Sequence, residues 1–381
     1  MSTTAPPPIP IADRTAHPFH THDMIQEIPA SYRDTLRRLA NPAREAATRL
    51  ADRSVLAFTG CGTASYSARL AAHFAATSSE RIRSAAMGAF ELSNYASGLG
   101  PSWGVVGISH SGITKTTVEA LRQGRARGAL TIGVTHFLDR PISGVSDVSL
   151  IAGNGPDLSR CHTKCYVAGA LAGAQIALEW RAATHEDPRS RIESIRLSLE
   201  TLPDFMDDVL RSTEKMCEEL AADHLTRRSV GIFGAGPNLP TALEAALKIR
   251  ETSFLPAEGM EIEEYLHGSW QSLDSESLLF VVAPSGPSHA RAVDLARAAR
   301  IVGATVVAVV SEGEREMEGL ADTVIAVPPV DELLSPFLNI IPLYLYAYYS
   351  SVKRGHNPDL LRYLEPRYWE ARQIVFPPGT H

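Results

Sequence analysis

The stretch VVGISHSGITKTT runs from Val105 to Thr117. A short apolar run stops at a cluster of Ser, His, Ser, Gly and Thr. The following TKTTVEALRQGRARG, residues 114–128, then reads as a helix. The same order of strand, glycine- and hydroxyl-rich turn and helix occurs in SVLAFTGCGTASYS, residues 54–67, followed by SARLAAHFAATS, residues 67–78. Further β-rich runs lie at 83–92, 129–137 and 147–153. A second half repeats the grammar: SVGIFGAGPN at 229–238, LPTALEAALKIRETSFL at 239–255, then SLLFVVAPSG, ARAVDLARAARIVG, ATVVAVVSEG and DTVIAVPP up to residue 329. Continuous apolar strands alternating with helices predict parallel sheets covered on both faces. The repeated layout suggests an internal duplication. A helical stretch from about Pro188 to His224 joins the halves.

The hydroxyl-rich turns fall at carboxyl ends of strands, where ligands bind in open α/β sheets. Ser109, Ser111 and Thr114 offer hydroxyls, Gly112 a tight turn, and the next helix free N–H groups with a partial positive charge. Thr63, Ser65 and Ser67 offer a second such turn. Together they could cradle an anion without arginine. The alternative is that these residues merely cap helices.

The chain has 381 residues, of which 44% are hydrophobic and 21% charged, with a net charge of −7. That length allows two or three domains with real cores. The acidic balance argues against a general nucleic-acid binder. Cys61, Cys161, Cys165 and Cys217 show no zinc-type spacing, so the expectation is reduced thiols, a cytoplasmic location, no metal and no cofactor. No apolar stretch is long enough for a membrane span. The first residues lack an apolar signal core and read as a loose Pro-rich arm.

FTGCGTASYSARL (58–70), ISHSGITKTTVEAL (108–121) and ALEAALKIRETSFLPAEGMEIEEYLHGSWQSLD (242–274) resemble signature segments of the SIS (sugar-isomerase) domain family. The layout is similar to the isomerase half of glucosamine-6-phosphate synthase, without a glutaminase domain in front. HTHDMIQEIPASYRDTL (20–36) resembles that enzyme's lead-in. The resemblance implies two tandem SIS domains of α/β fold. The expected division is an arm and lead-in helix at 1–40, a first domain at 41–187, a helical linker at 188–226, a second domain at 227–352 and a tail at 353–381. It also implies a homodimer with shared sites and a small sugar phosphate as ligand.

Family roles carry over by motif. Ser109, Ser111 and Thr114 match the phosphate loop, and Thr63 with Ser65 the first hydroxyl loop. Glu251 matches the glutamate that moves a proton between C1 and C2 of the sugar. His267 matches the ring-opening histidine given by the neighbouring subunit. Glu244 and Lys248 match pocket-lining residues. Independently of the family, Glu244, Lys248 and Glu251 are spaced to share one helix face, which by itself reads first as an exposed salt-bridge stripe, the commoner meaning of Glu-x-x-x-Lys. A carboxylate can serve as base and then acid in aldose–ketose interconversion, and a histidine titrates near neutrality.

The pattern also breaks. Ala64 stands where a serine is expected. His110 replaces a glutamine, and His162 takes a serine position in DLSRCHTKCYVAG (157–169), with Arg160 and Thr163 beside it. A changed anion or a larger substituent would explain this, as would neutral drift. Cys161 and Cys165 read as buried small residues. Pro366 falls where the synthase keeps its imine-forming lysine, and Lys353 lies too early to replace it. The expectation is therefore an isomerase-deaminase or deglycase acting on a phosphorylated amino sugar. The alternatives are an ammonia-dependent synthase-like isomerase, a specialised-metabolism sugar enzyme, or a non-catalytic sugar-phosphate sensor.

Overall fold

The computed structural model describes residues 14–76, 81–185 and 187–377; the Pro-rich run at residues 6–10 lies outside them. Helices α1 (His20–Gln26) and α2 (Ile28–Leu50) lead into the first unit. It comprises β1 (Val55–Gly60), α3 (Thr63–Ala75), β2 (Arg83–Gly88), α4 (Ala89–Tyr95), β3 (Trp103–Ile108), α5 (Lys115–Ala126), β4 (Leu130–Thr135), α6 (Pro141–Gly144) and β5 (Val148–Ile151). Helices α7 (Lys164–Thr184) and α8 (Arg189–Asp223) follow. The second unit comprises β6 (Val230–Gly234), α9 (Leu239–Ser253), β7 (Ala257–Glu261), α10 (Ile262–Leu266), β8 (Leu278–Ala283), α11 (His289–Val302), β9 (Thr305–Ser311), β10 (Thr323–Val327) and α12 (Pro336–Lys353), with α13 (Pro366–Val375) in the tail. The division expected at residue 40 falls within α2. Helix α2 runs through it, because Leu39, Ala43, Ala46, Ala47 and Leu50 keep one buried stripe across that point.

Each unit carries a parallel five-stranded sheet. The orders are β2-β1-β3-β4-β5 and, read from the opposite edge, β7-β6-β8-β9-β10. The two sheets thus share one topology, and the repeated grammar of the sequence is a repeat of fold. Both faces of each sheet are buried. Val106 and Ile108 of β3 face a core shared with α2, α7, α8 and α12, whereas Val105 faces the opposite layer with α4 and α5. Phe280 and Val282 of β8 join the same shared core, and Leu279 and Val281 face α11. This is why the strands read as continuous apolar runs rather than alternating ones.

Helix α7 is buried nearly all round. Its small residues allow this: a Cβ at Gly173 would lie 2.4 Å from Cβ of Ala71 on α3. In the first sheet the strand order reverses between β1 and β3, which opens a crevice at their carboxyl ends. The chain's two extremities are tied together by Asp359. Its buried carboxylate accepts from the amides of His20 (2.8 Å) and Thr21 (2.7 Å) and from the Thr21 hydroxyl (2.7 Å). Among the described residues, no helix is long and apolar enough to cross a membrane.

Candidate active site

The loops after β1 and β3 flank the crevice. Gly62 precedes α3 with φ +56°, a conformation that side chains disfavour, and delivers Thr63 as the first residue of the helix. Ser65 sits half-buried in the same first turn. Gly112 has φ +68°, and a Cβ there would meet Cβ of Arg140 at 2.6 Å and the Thr135 hydroxyl at 2.8 Å. That glycine lets the loop fold back on itself. The Ser109 hydroxyl accepts from the Gly112 amide (3.1 Å) and lies 3.0 Å from the Thr114 hydroxyl, while Ser111 accepts from the Ile113 amide (3.4 Å). Thr114 occupies the cap position of α5, yet its hydroxyl makes no capping bond. Thr114 is therefore not a side-chain cap of α5. These hydroxyls gather at the N-terminal end of α5 together with its first-turn amides.

The second domain brings α9 against α3. Glu244 is 0% exposed and Lys248 2% exposed, so the helix face is no exposed salt-bridge stripe. Lys248 Nζ lies 2.8 Å from Glu251 Oε2 and 3.5 Å from Glu244 Oε1. It also donates to the Thr63 hydroxyl (3.0 Å) and to the Cys161 carbonyl. Thr63 in turn donates to Glu244 Oε1 (3.3 Å), as does the Tyr344 hydroxyl of α12 (2.9 Å). The cluster thus spans both domains. Burial pushes the Glu244 carboxyl up to about 7. For Lys248, burial acts downward but the Glu244 and Glu251 carboxylates outweigh it, so the pKa is raised and the ammonium stays charged. Glu251 keeps 29% side-chain exposure and is the member of the trio that reaches solvent.

Arg160, His162 and Thr163 lie on the loop that enters α7. Asp157 holds this loop by accepting from the Ser159 amide (3.1 Å), the Ser159 hydroxyl (2.8 Å) and the Thr163 amide (2.8 Å). His162 adopts φ +52° there. Its ring lies 4.7 Å from that of His110, which in turn packs 4.4 Å from His136. Arg160 stacks over Tyr363 of the tail at 5.6 Å. Burial lowers the pKa values of His110 and His136. Cys161 and Cys165 are buried as expected; burial pushes the Cys161 thiol up to about 12 and raises that of Cys165.

His267 stands apart from the trio. It follows α10 with a side chain 72% exposed, and its contacts are with Glu263 of the same turn. Lys353 is paired with Glu218 at 2.6 Å, and Pro366 begins α13. Sequence reasoning missed the Cys161 carbonyl, Tyr344, Asp157 and His136. A carbonyl carries no signal in a sequence, and Tyr344 is hidden in the apolar run LYLYAYY. The histidine grouping joins residues from three separate loops.

The model of the SIS domain matches residues 49–174 and 226–354. Glutamine–fructose-6-phosphate aminotransferase (isomerizing) of Thermococcus kodakarensis is 26% identical over 357 residues, covering 93% of this chain and 58% of that protein. The chain therefore spans well under two thirds of that relative's length. Among solved structures, the C-terminal domain of glucosamine-fructose-6-phosphate aminotransferase from Francisella tularensis superposes with a TM-score of 0.83 at 19% identity, covering 91% of this chain and 99% of that one. Glucosamine-6-phosphate deaminase from Thermotoga maritima gives 0.70 at 21% identity, covering 90% and 96%. At these identities the two structures speak for the fold.

Proposed function

The chain belongs to the SIS-domain family, and on that premise we propose that it acts on a phosphorylated amino sugar, transferring a proton from C2 to C1 and releasing ammonia or an amine. The observation that carries this is the trio on α9, in which one partly exposed carboxylate is held against a buried ammonium beside the hydroxyl loops of the other domain. In the open-chain amino aldose, Glu251 takes the C2 proton and returns it at C1. The C2 carbon is then an imine, and water hydrolyses it to a ketose phosphate and the free nitrogen compound. Lys248 is a positioning residue: it keeps Glu251 oriented and is itself nearly sealed from solvent. The phosphate sits at the N-terminal end of α5, among Ser109, Ser111 and Thr114. His267, exposed on its own chain, would serve the site of a second copy in a homodimer.

The lysines support the nitrogen-releasing direction. Of the chain's five, Lys248 is held charged, Lys164 is paired with Glu27 at 2.6 Å and Lys353 with Glu218 at 2.6 Å. Lys215 lies on α8, 3.6 Å from Glu219, and Lys115 is exposed at the start of α5. An ion-paired ammonium, as at Lys248, Lys164 and Lys353, is a poor nucleophile toward a ketose carbonyl, whereas an amino sugar brings its own nitrogen. The relative named as a glucosamine-6-phosphate deaminase fits this substrate class.

The test is a panel of amino-sugar phosphates, with ammonia, amine and ketose phosphate as readouts. In deuterated water the product should carry label at C1 in the fraction of turnovers in which the proton held on the solvent-reaching Glu251 exchanges. Glu251→Gln should abolish both release and labelling, a loss of at least about 10²-fold. A lysine adduct with a ketose phosphate, trapped by borohydride and accompanied by amino-sugar formation from ammonia, would reverse the assigned direction.

A further inference from the structure

We infer that His110, His162 and Cys165 form a binding site for one late first-row divalent cation, with zinc as the best fit. No stretch of the sequence announces it. His110 lies on the loop after β3, His162 on the loop before α7, and Cys165 in the first turn of α7. The fold brings one ligand atom from each within 4.8 Å of the other two. Zinc bonds of about 2.0–2.3 Å in a tetrahedral set need donors somewhat closer than that, which side-chain rotation can supply. Two imidazoles and a thiolate are the borderline-soft donor set that zinc favours over magnesium or calcium.

The cluster is a poor anion cradle, which is the competing use of such a loop. A buried thiol offers nothing to a phosphate. As a cation site the parts are accounted for. His110 Nδ1 is buried without a hydrogen-bond partner, a state that costs stability unless a ligand takes it. His136, 7% exposed, packs against the His110 ring and closes the back of the cluster. The Asp157 carboxylate clamps the loop that carries His162 and supplies nearby negative charge. The two nearby ammonium groups, Lys164 and Lys248, are each already matched by a carboxylate, Glu27 and Glu251. Three protein ligands leave a fourth position, the arrangement of zinc sites that take water or an anionic oxygen of a ligand. His110 itself lies between Ser109 and Ser111 of the hydroxyl loop, so the incoming group would be a phosphate or carboxylate oxygen.

The inference stands on this loop geometry alone and does not require the sugar-phosphate reading. It is tested without any sugar. The full chain, stripped with a chelator, is titrated with cobalt(II) and then with zinc. The expected result is one cobalt per chain, with intense four-coordinate visible absorption and a thiolate-to-cobalt band in the near ultraviolet, both removed by zinc. Cys165→Ser should lose the near-ultraviolet band. His110→Gln with His162→Ser, which keeps polar side chains in both loops, should weaken binding roughly 100-fold or more at an unchanged circular dichroism spectrum. A thiolate band that survives Cys165→Ser would overturn the site. So would equal binding by the double variant and the parent, or binding abolished instead by His289→Ala with Glu316→Ala, which removes the other metal-capable grouping at His289, Glu314 and Glu316.

Discussion

Glu244 is a carboxyl sealed inside the protein, and its proton is part of the fold. Its pKa rises from the ordinary carboxyl range to about 7 because burial penalises the charged form. Between these values the folded protein binds a proton that the unfolded chain has lost. Stability from this group is complete below the ordinary range and falls as pH rises toward 7. Glu244→Gln removes that dependence. Across pH 4.5 to 7, the unfolding free energy of the variant should therefore improve relative to wild type, measured by urea unfolding at several pH values. Parallel curves would show that Lys248 compensates the charge fully. At this scale the sequence showed the trio's types and spacing but not its burial. Whether a Glu–Lys stripe faces water or a neighbouring domain depends on α3 and α12, which lie far away in the chain.

At the scale of elements, the parallel strands and the helices between them were legible because buried strands are written as unbroken apolar runs. The end of α2 was less so, because a lead-in helix and the first domain share one continuous stripe with no glycine or cap between them. Close packing of α7 on α3 is legible only in three dimensions, and two glycines that look alike in sequence separate cleanly there. Gly173→Ala pushes a methyl to 2.4 Å from Ala71 and should cost about 1–3 kcal/mol. Gly124→Ala on α5 meets its nearest neighbours at an ordinary 3.5 Å and should be neutral or stabilising by up to about 1 kcal/mol. Thermal unfolding of the two variants should move in opposite directions or leave only the first displaced. The histidine cluster was illegible at this scale, since it joins loops separated by tens of residues and only the sheet order places them together.

For the whole molecule, the site is complete only when both domains are docked, since Thr63 belongs to one and Lys248 to the other. If a second copy adds His267, chains carrying Glu251→Gln and chains carrying His267→Ala should rescue one another. Refolded together in equal amounts, they should recover about a quarter of the wild-type rate, because half the dimers would hold one intact site. Mixtures as inactive as their parents would place His267 outside the chemistry. The Asp359 clasp adds a constraint on how the protein is made. The amides that begin α1 are translated early, and the carboxylate that satisfies them lies 339 positions later. During synthesis the first amides of α1 therefore wait for their partner, whereas α2 already has α7 to pack against. The start of α1 locks only once Asp359 has been made, so native-state hydrogen exchange of the His20 and Thr21 amides should speed up in Asp359→Ala while that of the α2 amides stays slow.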